Sequence, residues 1–206
     1  MKIAVICIWI GCLFPLVSSG QSEWVIRRDA LKVTPLTEIA IEEKWDTIYR
    51  LWDIPASEHL RRAPIIVFTL KYRGPISHEE YEGVVSIRVG LPDGTVLSRS
   101  QEASSKSIMR IGKVFYLTEA LSLPERERDG WQAHPYESMV LHAGGYDIEG
   151  YNRETQDYRK ISRSAEEGSV TDQIQKAYRR ECAELIKELS AEIEAWERKS
   201  ESGPRD

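Results

Sequence analysis

The stretch SHEEYEG, residues 77–83, sets His78 beside Glu79 and Glu80, side chains that bind metals and move protons. A catalytic metal helix needs two histidines one turn apart, as in H-E-x-x-H, and a structural site needs three or four converging ligands. This spacing supplies neither. Gly74-Pro75 just before it predicts a solvated loop. His59, His134 and His142 are scattered and share no local spacing with it. No metal site is expected.

Nucleophilic chemistry is equally poorly provided for. The chain has no G-x-S-x-G elbow. Beyond residue 20 its one thiol is Cys182, which falls within an apolar stripe and so predicts a buried, inert side chain. There are 33 Asp and Glu residues from which a glycosidase pair could be drawn, but sequence cannot choose two of them, and abundance is what a solvated surface provides. No phosphate loop or dinucleotide fingerprint occurs, so no cofactor is expected. With 28 basic residues against 33 acidic ones, the formal net charge is −5. There is no basic stripe with interleaved aromatics, which argues against nucleic acid as a partner.

Aromatic residues remain. Ile41, Trp45, Ile48, Tyr49 and Trp52 recur at helical spacings, and Pro55 would stop such a helix. They predict a short helix near 41–52, against a competing strand signal in the alternation around Ile39 and Ile41. Trp45, Tyr49 and Trp52, with Trp131, are candidates for binding a sugar face by stacking; Trp24 is a further one. The more frequent use of such rings is to cover a core.

The elements that would position these residues fall into an ordered series. Met1-Lys2 followed by the apolar run Ile3–Val17 and the small residues Ser18-Ser19-Gly20 reads as an export signal cleaved after Gly20. The run is too short to span a bilayer, which takes roughly 20 residues. Ile10-Gly11-Cys12 resembles the cleavage point of a bacterial lipoprotein signal. Apolar residues continue past Cys12 from Leu13 to Val17, where a lipidated cysteine would open a polar tether, so lipid on Cys12 is the lesser reading. Cys182 alone then survives, and no internal disulfide can form.

Residues 21–161 are expected to form an antiparallel β-sandwich. Short extended segments are predicted at Trp24–Arg27 and Leu31–Val33. Ile66, Phe68, Leu70 and Tyr72 alternate along one strand, and Val85, Ile87, Val89 and Leu91 along the next. Pro92-Asp93-Gly94 turns the chain back through Thr95 to Ser98. Residues 107–121 read as a further long strand, residues 125–130 as a charged loop, and residues 136–151 as two strands around Gly144-Gly145. Leu141, Gly144, Tyr146 and Ile148 resemble the tyrosine corner of immunoglobulin-like domains. The resemblance covers about eight residues, and Ile148 stands where such a domain would have its cysteine. It implies a sandwich and nothing about activity.

Residues 162–170 read as a polar linker and 200–206 as a disordered tail. Between them, 171–199 predicts one amphipathic helix with Ile174, Tyr178, Cys182, Leu185, Leu189, Ile193 and Trp196 down its docking face. That face can rest on its own sheet, pair with a second copy of the chain, or lie on a membrane. The carboxylate-rich polar side disfavours the membrane.

The expected protein is a secreted or periplasmic module without catalytic activity, binding a protein or glycan partner or serving as scaffold. A secreted hydrolase using carboxylates and a carbohydrate-binding module are the alternatives.

Overall fold

The computed structural model describes residues 27–55, 63–74, 81–117, 145–164 and 170–201. The predicted export signal, the four histidines, Trp24, Trp131, the charged loop and residues 202–206 lie outside these residues, while Ser200 and Glu201 of the predicted tail end the last helix.

Ten numbered elements follow in order: α1 (Leu36–Glu43), β1 (Thr47–Ile54), β2 (Ile65–Arg73), β3 (Glu82–Gly90), β4 (Val96–Glu102), α2 (Ser105–Leu117), β5 (Gly145–Asn152), β6 (Asp157–Ser164), α3 (Val170–Glu181) and α4 (Ala183–Glu201). The strands form one antiparallel sheet in the order β4-β3-β2-β1-β5-β6. The antiparallel pairing agrees with the sequence. A second sheet is not present among the described residues, and helices take its place.

The register sorts side chains onto two faces. On the first, Leu51 lies opposite Phe68 and Ile148, and Phe68 opposite Ile87. This face joins Ile108, Ile111 and Phe115 of α2 and Ile174, Tyr178, Cys182, Leu185 and Leu189 in the main core. On the second face, Leu36 and Ala40 of α1 pack with Trp45, Ile48 and Tyr151. Beside them Leu31 packs with Trp52, Ile65 and Val67.

Several predicted elements change type. The helix expected near 41–52 sits earlier, at Leu36–Glu43, and Thr47–Ile54 is a central strand. Both faces of β1 are covered, so apolar residues fall on both sides and the alternation of a half-buried strand is lost. The strand expected at 107–121 is instead helix α2 over its described part. Ser104 Oγ accepts from the Ser107 backbone N–H at 3.1 Å, an N-cap, and Ile108, Ile111 and Phe115 recur on the buried side. Residues 27–30 form a helical turn where short strands were expected on either side, and β6 runs to Ser164, into the predicted linker.

The C-terminal helix is interrupted at Cys182. Backbone bonds of 2.8 Å from Cys182 N to Tyr178 O and from Ile186 N to Cys182 O carry the ladder across the break. The apolar stripe rests on the chain's own sheet. Tyr178 donates its hydroxyl to Tyr49 O at 2.9 Å, and at the far end Trp196 Nε1 donates to Asp93 in the β3–β4 turn at 2.7 Å.

Candidate binding cleft

β1 and β5 are neighbours, and their register sets Arg50 directly opposite Glu149. Cross-strand partners of opposite charge attract, and here the segment before α1 covers them both. Arg50 and Glu149 are each 3% exposed. Arg50 Nη1 donates to Glu149 Oε2 at 3.0 Å, and Nη2 donates to the backbone carbonyl of Thr34 at 2.8 Å. The guanidinium thus ties the N-terminal segment to the sheet. Burial lowers the Arg50 pKa, and the Glu149 carboxylate opposes that shift. Tyr158 of β6 reaches across with its hydroxyl 3.4 Å from Glu149 Oε1, a long and weak bond. Burial, together with the Glu149 carboxylate, pushes the Tyr158 hydroxyl up to about 12.

The covering segment is fixed independently. Leu31 seats against Gly90, where an added Cβ would lie 2.7 Å from Leu31 Cδ2. Only glycine allows that approach. Arg88 Nη1 donates to the carbonyls of Leu31 and Lys32 at 3.1 and 2.9 Å. Arg27 Nη2 donates to Gly90 O at 2.9 Å. Lys32 takes a left-handed φ of 46°, which ends the turn of residues 27–30.

Between this segment and the sheet lies an open cleft of ≈ 560 Å³. Arg28, Asp29, Lys32, Val33, Pro35, Leu36 and Thr37 form one side, and Arg50, Trp52, Glu149 and Tyr158 the other. The Arg28 guanidinium stands over the Trp52 ring, 5.3 Å from its centroid.

The aromatic residues singled out from sequence do not form one platform. Trp45 is buried beneath Lys71 and Arg73, and its Nε1 donates to Glu43 at 2.7 Å. Tyr49 lies on the opposite face of the sheet, stacked on Phe115 at 4.3 Å. Trp52 belongs to the cleft wall, and Trp131 lies outside the described residues. Tyr146 is a β5 residue opposite Asp53. Cys182 is buried, which pushes its thiol up to about 12. Among the described residues, no cluster of three or more His, Cys, Asp or Glu side chains could hold a metal ion, and no helix is long and apolar enough to cross a membrane.

Sequence reasoning missed Arg28, Arg50, Glu149 and Tyr158. A charged residue inside a strand otherwise built of core residues, as Arg50 is between Tyr49 and Leu51, was the available signal.

No protein-family model, curated protein or solved structure matches the chain. What fold and cleft define is a six-stranded antiparallel sheet with helices against both faces and a charged cleft under its N-terminal segment.

Proposed function

We propose that the chain is an exported, non-catalytic binding module that takes a small ligand in the cleft beneath residues 28–37. One observation carries this reading: the open ≈ 560 Å³ cleft is floored by a pre-formed, buried Arg50–Glu149 pair. Ligand pockets commonly have volumes of roughly 300–1,000 Å³ and combine apolar walls with a few fixed polar groups. Val33, Pro35 and Leu36 supply such a wall here. A carboxylate-dependent hydrolase would need a carboxyl group free to give up a proton. Glu149, the one buried carboxylate of the cleft, is bonded to Arg50, and Asp29 is exposed on the covering segment, which favours binding over hydrolysis.

Export rests on residues 1–20, and the destination is the periplasm or the extracellular space. The exported chain starts at Gln21 and carries no lipid; a mass that includes a diacylglycerol on Cys12 would contradict this.

The binding reading is tested by occlusion. Thr37 is exposed at the cleft edge, so Thr37→Trp fills the opening without entering the core. A fragment screen read by ligand-observed NMR should find binders for the wild type that Thr37→Trp loses at unchanged melting temperature. Binders that are indifferent to Thr37→Trp would contradict the assignment.

A further inference from the structure

We propose that the ligand of this cleft is a small organic carboxylate, with Arg28 and Lys32 as its anchors and an apolar body against Val33 and Leu36. The proposal rests on reading the cleft as a binding site.

Arg28 differs from the arginines around it. Arg27 and Arg88 donate to backbone carbonyls, and Arg50 is bonded to Glu149 and Thr34. The Arg28 guanidinium has its ring contact with Trp52 and no hydrogen-bond acceptor or ion-pair partner among the described residues. Lys32 Nζ has no partner among them either, and the residue is exposed at the same opening. The cleft is lined by three cationic side chains, Arg28, Lys32 and Arg50, against two carboxylates, Asp29 and Glu149. Glu149 is neutralised by Arg50. With that pair set aside, Arg28 and Lys32 face Asp29 alone, which leaves one net positive charge lining the cleft.

A guanidinium presents a planar fork of N–H donors that matches the two oxygens of a carboxylate. The Arg28 Cζ stands 5.3 Å from the Trp52 ring centroid, a cation–π contact that engages the charge of the guanidinium and uses none of its hydrogen-bond donors. The volume argues for a ligand with a body. One water occupies about 30 Å³, so an inorganic ion would leave most of a ≈ 560 Å³ cleft unfilled. The Tyr158 hydroxyl, weakly held by Glu149, is available at the far wall to bond a second polar group.

Calorimetric titration of the full chain tests this with four probes: phenylacetate, its neutral isostere phenylacetamide, phenethylamine and inorganic phosphate. Phenylacetate should bind saturably with a Kd of roughly 1 mM or tighter, weakening as salt rises. Phenylacetamide and phenethylamine should not bind, and phosphate should bind more weakly than phenylacetate. Arg28→Met keeps an apolar cover over Trp52 and removes the fork, and should weaken phenylacetate about tenfold or more at unchanged melting temperature. Lys32→Gln should weaken it about threefold, and Arg28→Lys should restore part of the loss. Phenylacetate affinity indifferent to Arg28→Met, or matched by phenylacetamide, overturns the proposal. So does an absence of phenylacetate binding. Should the amide or the amine bind instead, and Thr37→Trp abolish it, the carboxylate assignment falls while the cleft stands as a binding site. Loss of the cleft reading itself would show separately, as fragment binding that Thr37→Trp leaves untouched.

Discussion

Arg50 and Glu149 stand directly opposite one another on adjacent antiparallel strands, joined at 3.0 Å, with both side chains almost wholly buried on the cleft floor. A pair taken this far out of water is a poor source of stability by itself, because the cost of desolvating two ions rivals their attraction. Its consequence is positional. Arg50 holds Thr34 and with it the segment that forms one wall of the cleft.

Removing one partner should therefore cost far more than removing both. Arg50→Met or Glu149→Leu alone leaves a buried charge uncompensated and should destabilise by about 3–5 kcal/mol. The double variant should recover a large part of that loss. A double-mutant cycle from urea unfolding measures it, and single losses that simply add would contradict the pairing.

The two leucines near the centre of the C-terminal stripe should behave as core residues. Leu185 and Leu189 lie one turn apart, both buried in the main cluster. Truncation of each to Ala should cost about 2–5 kcal/mol. Because their face is covered by the chain's own sheet, the double variant should melt lower at every protein concentration. Concentration-dependent melting of the wild type would point instead to a second copy.

Ile87 lies between Phe68 and Arg99 in the register and is 2% exposed. Ile87→Asp puts an unpaired carboxylate into the core and should cost on the order of 3 kcal/mol or more, read as a fall in melting temperature.

Cys182 gives a pH signature. Below its ordinary value of 9.0 the thiol is protonated in both folded and unfolded chains, so its contribution is whole. Above that value the unfolded thiol ionises, while burial holds the folded one protonated up to about 12. Stability should fall across this window, by at most about 1.4 kcal/mol per pH unit. Tyr49, Tyr72 and Tyr178 are raised as well, but from 10.0, so their effect begins later. Cys182→Ala should flatten the dependence of unfolding free energy on pH between pH 9 and 10. An unchanged slope would contradict the burial of the thiol.

Local signals were legible where one cause dominates. The β3–β4 hairpin is such a case. Asp93 accepts from the Thr95 N–H at 2.9 Å, and Gly94 takes the φ of 87° that the turn requires. The apolar stripe from Ile174 to Leu189 was another. Two signals conflicted in 107–117, where β-branched Ile108, Ile111 and Val114 suit a strand and their spacing suits a helix. The Ser104 cap and the sheet face waiting to be covered decide for the helix. The cleft was not legible at all. Arg50 and Glu149 are 99 positions apart, and Tyr158 comes from a third strand. Only the strand order and register bring them under the same N-terminal segment.

The central claim, that this cleft is where the protein binds, is met most directly by chemical-shift mapping. The ¹⁵N-labelled chain is titrated with each fragment that wild type binds and Thr37→Trp does not. Shifts should concentrate on the amides of residues 28–34, Leu36, Thr37, Arg50, Trp52, Glu149 and Tyr158. Shifts clustered on the helices α2 to α4, with those amides unmoved, would contradict it.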